Sequence, residues 1–223
     1  MIISTPKGRE ELEALLAGYR TLFLVGCGAC ATVCKVGGED EVFATQEWLE
    51  AGGREVVGSM VLKEACHVMR AARELRRYRS QVDEAEVLLV LSCGGGVQSI
   101  SSCTDTRVLA GVDSLFLGNI RRFGEFEEKC SLCGECILNE TAGICPVTNC
   151  PKGVLNGPCG GMEDGHCEVD AERDCIWAKI YRRLEKQQRL AAFDRVVEAK
   201  DWSKKFKPGR HQLARNPGSG VEK

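Results

Sequence analysis

The chain lacks a marked net charge, because 30 lysines and arginines stand against 32 aspartates and glutamates, a formal net of −2 over 223 residues. Neither nucleic acid nor an anionic membrane surface is therefore an expected partner. No apolar run approaches the roughly 18 residues of a membrane span. The first residues, MIISTPKGREELEALL, lack the apolar stretch of a secretory signal. We expect a cytoplasmic protein with no membrane insertion.

The common catalytic motifs are also missing. The sequence has no Walker loop, no dinucleotide-binding GxGxxG, no Ser-His-Asp order and no histidine-glutamate zinc helix. Three glycines, Gly94, Gly95 and Gly96, could cradle a phosphate ahead of a helix. No basic residue accompanies them, however, so this signal is weak. We expect no substrate-transforming site in this chain and assign no catalytic residue.

Cysteine, in contrast, is abundant, with fourteen in the chain. A chain of 223 residues is long enough for one or two units with a proper core, so stapling by disulfides is not needed for stability. In a reducing compartment these cysteines are expected to be thiols or metal ligands, and disulfides are the alternative.

Up to Gly124 the chain alternates short apolar runs with amphipathic segments, which is typical of strand-helix-strand units around a parallel sheet. Helical spacing marks residues 7–17 and the segments FATQEWLEAG and VMRAARELRRY. We predict fold class α/β, with a small doubly wound parallel-sheet domain over residues 1–124. Its expected strands are 21–25, 55–62, 86–91 and 114–117.

After Gly124, Gly, Pro and Cys interrupt the chain every few residues. Apolar residues at helical spacing then follow Cys175 and predict an amphipathic helix. We predict a cysteine-rich, ferredoxin-like irregular region that ends in this helix over residues 125–199, and a basic mobile tail over 200–223. A partner-docking arm is the alternative for the tail. The region contains eight cysteines: Cys130, Cys133, Cys136, Cys145, Cys150, Cys159, Cys167 and Cys175.

The spacing of these eight cysteines favours iron-sulfur clusters. Cys130, Cys133 and Cys136 form a Cys-x2-Cys-x2-Cys run that can bind three corners of a cubane, and Cys145 and Cys150 each precede proline, as in bacterial ferredoxins. Eight thiolates match two cubanes. The first three cysteines would start one cluster, Cys145, Cys150 and Cys159 would belong mostly to the second, and Cys167 and Cys175 would complete the sets. Zinc at one site is the less favoured alternative.

A separate metal site is predicted in the first half. Cys27, Cys30 and Cys34 follow the first strand and enter a helix, so they should lie at the carboxyl edge of the sheet, where open α/β folds bind ligands. A fourth ligand could be Cys66 or Cys93, and we favour Cys93 because glycines follow it. The remaining candidates have simpler roles: Cys103 as a free thiol, His67 as a helix-start residue and His166 as a surface residue.

Several blocks of the sequence resemble one known family. The blocks VGCGACATVCKVGGE, LVLSCGGGVQ, CSLCGECILNETAGICPVTNCPKGVLNGPCGG and CEVDAERDCIWAKIYRRL are similar to the MetV-type small iron-sulfur subunit of the two-subunit methylenetetrahydrofolate reductases of acetogenic bacteria. The resemblance covers residues 1–190. It implies a larger, flavin-containing TIM-barrel partner subunit that reduces methylenetetrahydrofolate in one-carbon metabolism. It also implies an electron donor such as ferredoxin or a heterodisulfide-reductase-like or hydrogenase-linked module.

Together, the residues and the resemblance predict an electron-transfer subunit with two to three [4Fe-4S] clusters and with flavin only in the partner. The alternatives are a zinc-stabilised scaffold subunit and a corrinoid-related methyl-transfer accessory protein, although the cobalamin-binding pattern DxHxxG is missing. The predicted metal ligands are Cys27, Cys30, Cys34, Cys66, Cys93, Cys130, Cys133, Cys136, Cys145, Cys150, Cys159, Cys167 and Cys175.

Overall fold

The computed structural model of the protein describes residues 1–205 and 207–212. The chain forms two compact units, one of Met1–Glu128 and one that begins at Lys129. The tail predicted over 200–223 therefore lies partly outside the described residues, at Phe206 and at 213–223, and its mobility stays a prediction. Among the helices of the described ranges, none has both the length and the apolar character needed to cross a bilayer.

The first unit contains seven strands and six helices among its described residues. The strands are β1 Ile2–Pro6, β2 Thr21–Cys27, β3 Glu55–Leu62, β4 Val87–Leu91, β5 Arg107–Ala110, β6 Val112–Arg122 and β7 Glu125–Glu128. The helices are α1 Arg9–Leu15, α2 Cys30–Val33, α3 Glu39–Ala51, α4 Val68–Arg77, α5 Arg79–Glu84 and α6 Gly94–Ser101.

A four-stranded parallel sheet in the order β3-β2-β4-β5 forms the centre of this unit. The residues of β4 are all buried, as the continuous apolar run VLLVL predicts for a strand covered on both faces. The chain order reverses at β2, so right-handed crossovers put α3 on one face and α4 to α6 on the other. Helix α4 does contact α6. The predicted α/β class with a parallel sheet is confirmed.

One predicted strand belongs to a different sheet. Residues 114–117 lie in β6, which pairs antiparallel with both β1 and β7 in a three-stranded sheet. The fourth parallel strand is instead β5, four residues long and paired with β4. The sequence of β5, RVLA, is too short to show a pattern. One partner of β6, the strand β1, lies more than a hundred residues away at the start of the chain.

Local sequence sets the starts of two helices that flank the sheet. At α3, the Glu41 carboxylate accepts a hydrogen bond from the Gly38 N–H at 2.8 Å, and three acidic residues occupy the first turn, where the helix dipole favours them. At α4, His67 Nδ1 accepts from the Arg70 N–H at 3.4 Å. The role predicted for His67, that of a helix-start residue, is thus the one it has.

The second unit has little regular structure among its described residues. Its elements are α7 Pro146–Asn149, β8 His166–Cys167, β9 Asp170–Asp174, α8 Ile176–Lys186, and 3-10 helices at Leu190–Ala192 and Trp202–Lys205. Helix α8 is the predicted amphipathic helix, and it buries Trp177, Ile180 and Leu184 in a small core. Phe193 packs edge-on against the Trp177 ring at 5.8 Å. This helix supplies most of the apolar burial in the unit.

Candidate metal centres

The first candidate centre lies at the carboxyl edge of the parallel sheet. Cys27 is the last residue of β2, Cys30 and Cys34 begin and cap α2, and Cys93 caps the start of α6 just after β4. Cys66 follows the end of β3. Because β2 lies between β3 and β4, the loops that carry these residues leave the sheet side by side. Three strand ends thus contribute to one group of thiols.

The pKa shifts of these thiols show that they act on one another. Burial raises the pKa of Cys34, and the neighbouring Cys30 and Cys93 raise it further, while a hydrogen bond from the Ser4 backbone opposes them. Burial likewise raises the pKa of Cys66, with Cys93 the largest electrostatic contributor. A second negative charge is costly beside the first in such a group. A metal cation would offset this repulsion, so the donor set fits a thiolate-bound centre.

Close backbone contacts hold the Cys27 loop against the sheet. The Cys27 N–H donates to Gly37 O at 2.7 Å, and Thr32 Oγ1 donates to Cys27 O at 2.8 Å. A side chain at Gly37 would overlap the carbonyl oxygen of Leu91, since its Cβ would lie 2.8 Å from that carbonyl's carbon. The loop therefore packs directly on Leu91 at the end of β4, two residues before the Cys93 cap.

The glycines after Cys93 allow close packing of α6. A Cβ at Gly96 would lie 2.9 Å from the Ala65 Cβ, so α6 could not approach the Cys66 loop with a larger residue there. A Cβ at Gly95 would be 3.8 Å from the Cys66 Cβ and 3.9 Å from Cys93 Sγ. Both sets of distances show that Cys66 and Cys93 lie close together. The Gly94 N–H is bound by Ser114 Oγ at 2.9 Å.

A buried hydroxyl supports the fit of this centre to a polar or ionic group. Ser4 is 6% exposed, and its Oγ has no hydrogen-bond partner among the described residues. Its backbone is the one that hydrogen-bonds Cys34. Buried hydroxyls are nearly always paired. Beside these thiols, the unpartnered Ser4 hydroxyl would be able to donate a hydrogen bond to a sulfur atom of a bound cofactor. No sequence pattern indicates Ser4, which lies in β1, a strand that was not predicted.

The second unit carries the eight remaining predicted ligands. Cys145 and Cys150 cap the two ends of α7, Cys167 ends β8, and Cys175 caps α8 and is buried. The loop of residues 130–136 approaches α7, because Ser131 Oγ and Thr148 Oγ1 are 2.9 Å apart and Cys145 Sγ lies 3.7 Å from the same Thr148 hydroxyl. This contact brings the Cys130 loop and Cys145 into one neighbourhood.

Trp177 fixes the loop that leads to Cys159. Its Nε1 donates to Val154 O at 2.9 Å, and a Cβ at Gly157 would lie 2.7 Å from its Cγ atom. Cys159 O in turn accepts from the Met162 N–H at 3.3 Å. Trp177 thus belongs to the small core and also positions the loop that leads to Cys159.

Cys103, the one cysteine not predicted to bind metal, follows the end of α6. Cys103 Sγ donates to Ser99 O at 3.1 Å, within α6 and its cap, and it packs on the core of the first unit. All fourteen cysteines are free thiols. Within residues 1–205 and 207–212, no three His, Cys, Asp or Glu side chains are close enough to hold a single metal ion. A cubane distributes its four thiolates over different iron atoms and so needs wider spacing than one ion.

These observations define a class of protein in which an α/β unit, with several cysteine thiols at its sheet edge, is followed in the chain by a cysteine-rich unit. Residues 109–203 match a family model described as the C-terminal part of methylene-tetrahydrofolate reductase. The match includes all eight cysteines of the second unit. It relates the chain to methylenetetrahydrofolate reductases and thereby to an oxidoreductase system. No curated protein and no solved structure matches the chain.

Proposed function

We propose that the chain is the iron-sulfur electron-transfer subunit of a methylenetetrahydrofolate reductase complex. In this role it relays electrons from a donor module, such as ferredoxin or a heterodisulfide-reductase-like or hydrogenase-linked module, to the flavin of a TIM-barrel catalytic subunit. The observation that carries the proposal is the convergence of five thiols at the sheet edge, on a chain whose cysteine-rich part matches a reductase family.

In the first unit, the ligands of one [4Fe-4S] cluster would be Cys27, Cys30, Cys34 and Cys93. Cys93 is favoured over Cys66 because Cys93 is half-buried and is followed by three glycines, whereas Cys66 is exposed. In the second unit, the eight matched cysteines would hold one or two further clusters. When bound, such clusters supply one-electron transfer.

The chain's own residues hold and shield these sites. Cys27 is 5% exposed, and the contact between Gly37 and Leu91 closes the backbone beside it, which keeps water from that ligand. Reduction of a folate needs two electrons delivered as hydride, which fully cysteine-ligated clusters do not provide. Folate chemistry is therefore assigned to the flavin subunit, and this chain is assigned the relay.

Anaerobic iron and sulfide quantitation, with EPR after stepwise reduction, tests the proposal. We expect about eight to twelve irons per chain with matching sulfide. The chain alone should accept electrons from dithionite without reducing methylenetetrahydrofolate. Zinc without sulfide would instead support the scaffold function, and folate turnover by this chain alone would contradict the relay.

A matched pair of variants tests the first site. Cys30→Ser should lose about four irons per chain, since one cluster loses a ligand. Cys103→Ser, which changes a thiol that contacts the Ser99 and Val68 carbonyls and the Ser102 hydroxyl, should keep the full iron content. An equal iron content in both variants would show that Cys30 is not a ligand of the cluster. Cys66→Ser and Cys93→Ser, compared in the same way, distinguish the fourth ligand.

A further inference from the structure

Residues 197–205 return to the cysteine loops of the second unit, and we call them the C-terminal strap. The strap lies directly on the Cys130–Cys136 loop, since a Cβ at Gly134 would be 2.9 Å from the Lys204 Cβ. Gly134 has a φ of +78°, so it combines a turn that favours glycine with a contact that leaves no room for a side chain.

Polar contacts also hold the C-terminal strap on this loop. Glu135 accepts from the Asp201 N–H at 3.0 Å and pairs with Lys204 Nζ at 2.6 Å. Lys205 Nζ donates to Ser131 O at 2.9 Å. Together these bonds join the strap to both ends of the loop between Cys130 and Cys136.

Lys200 is the unusual residue of the strap, because it is only 7% exposed. Lysine is almost never buried without a partner. Its Nζ donates to the backbone oxygen of Glu135, and the Cys133 thiol donates to that same oxygen at 3.4 Å. Two donors that share one acceptor atom must be neighbours. The ammonium group therefore lies beside a predicted metal ligand.

The start of the strap is fixed to the other cysteine loop of the unit. The Asn156 side chain donates to Val197 O at 2.8 Å and accepts from the Val197 N–H at 2.7 Å. Asn156 precedes Cys159 by three residues in the loop that packs on Trp177. The strap thus bridges the loop of Cys130, Cys133 and Cys136 and the loop of Cys159.

We propose that the C-terminal strap is a structural part of the iron-sulfur centre of the second unit, and that Lys200 offsets the negative charge at Cys133. This inference rests on the function proposed above. Ligation by thiolates gives a cluster a net negative charge, and one-electron reduction adds one further negative charge. A fixed buried cation favours the reduced form, because the interaction is poorly screened by water. The strap would therefore tune the centre's reduction potential and shield its loop.

An EPR-monitored redox titration of the full chain, anaerobically loaded, tests the charge role. In Lys200→Met, one cluster should favour its reduced form about tenfold less, which corresponds to a midpoint about 59 mV lower. Lys200→Arg, which keeps the charge, should restore the midpoint. Lys207→Met, which removes an exposed lysine outside the strap, should leave it unchanged. A wild-type midpoint in Lys200→Met with full iron would overturn the charge role.

Iron release to a chelator tests the shielding role and covers the case in which Lys200→Met fails to load. Glu135→Gln removes a charge that joins the strap to the loop, and it should release iron several-fold faster than Lys207→Met. Release at the wild-type rate would show that the strap does not protect the loop. Wild-type protein without iron and sulfide would contradict the proposed function itself, before any variant is compared.

Discussion

The contact between Gly37 and β4 gives the sharpest prediction about the first unit. Gly37→Ala would place a methyl group onto the carbonyl of Leu91, 2.8 Å from its carbon and 3.0 Å from its Cβ. Favourable carbon contacts lie at about 3.5 to 4.0 Å, so the loop and the strand would have to separate by about 1 Å. The obstacle is backbone, which cannot rotate away as a flexible side chain can.

Overpacking of this kind costs about 3 kcal/mol, the upper end of the usual range. For a unit of this size, we expect the melting temperature to fall by about 10 °C. The same separation should move Cys27, Cys30 and Cys34 away from Cys93 and lower the iron content of the loaded protein. Thermal denaturation followed by circular dichroism, with iron quantitation on the same samples, measures both effects.

Gly8→Ala is the matched control, because a Cβ at Gly8 would meet no atom within 4 Å. Its cost should stay below about 1 kcal/mol, the scale of a weakened helix cap. If Gly37→Ala melted with the wild-type protein and kept its iron, the loop after β2 could not pack on β4 as described.

Two further substitutions test contacts in the two units. Trp177→Phe removes the 2.9 Å hydrogen bond to Val154 O and should lower the free energy of unfolding, measured by urea denaturation, by about 1 to 2 kcal/mol. Tyr181→Phe, on the exposed side of α8, should be nearly neutral. Equal losses in the two variants would contradict the buried hydrogen bond. In Glu86, hydrogen bonds from the Thr21 and Arg20 N–H groups lower the carboxyl pKa below its usual 4.5. Its stabilisation is present above pH 4.5 and is lost as the pH falls through the folded pKa, so Glu86→Gln should be less stable than wild type at pH 7, with a gap that closes in acid. A gap between Glu86→Gln and wild type that stays constant across this pH range would argue against the bonds.

The elements that could be predicted from the sequence are those with a local pattern. Strand β3 has the predicted bounds Glu55–Leu62, and α8 has the predicted apolar face. The sheet of β1, β6 and β7 could not be predicted, because Ile3 pairs with Phe116 across the length of the unit and β7 reads EFEE, with only one apolar residue. Pairing between distant segments leaves no periodic trace in either one.

The candidate sites also combine residues that the sequence predicts with residues that it does not. The closeness of the cysteines at the sheet edge follows from one rule, that neighbouring parallel strands bring their carboxyl ends together. The rule predicts that Cys27 lies near Cys66 and Cys93, and the strand order β3-β2-β4 agrees with it. The residues that support the sites did not follow from any rule. Lys200 belongs to a stretch of lysines that suggests a solvated tail, and its burial depends on where the chain returns in space.

The sulfur donors of the first unit come from loops that follow three separate strands, so no single loop contains the complete set. The set exists only when β2, β3 and β4 are aligned side by side. Under the proposed function, we expect cluster insertion there to follow alignment of these strands. Occupancy of this centre would thus double as a folding reporter for the whole amino-terminal unit.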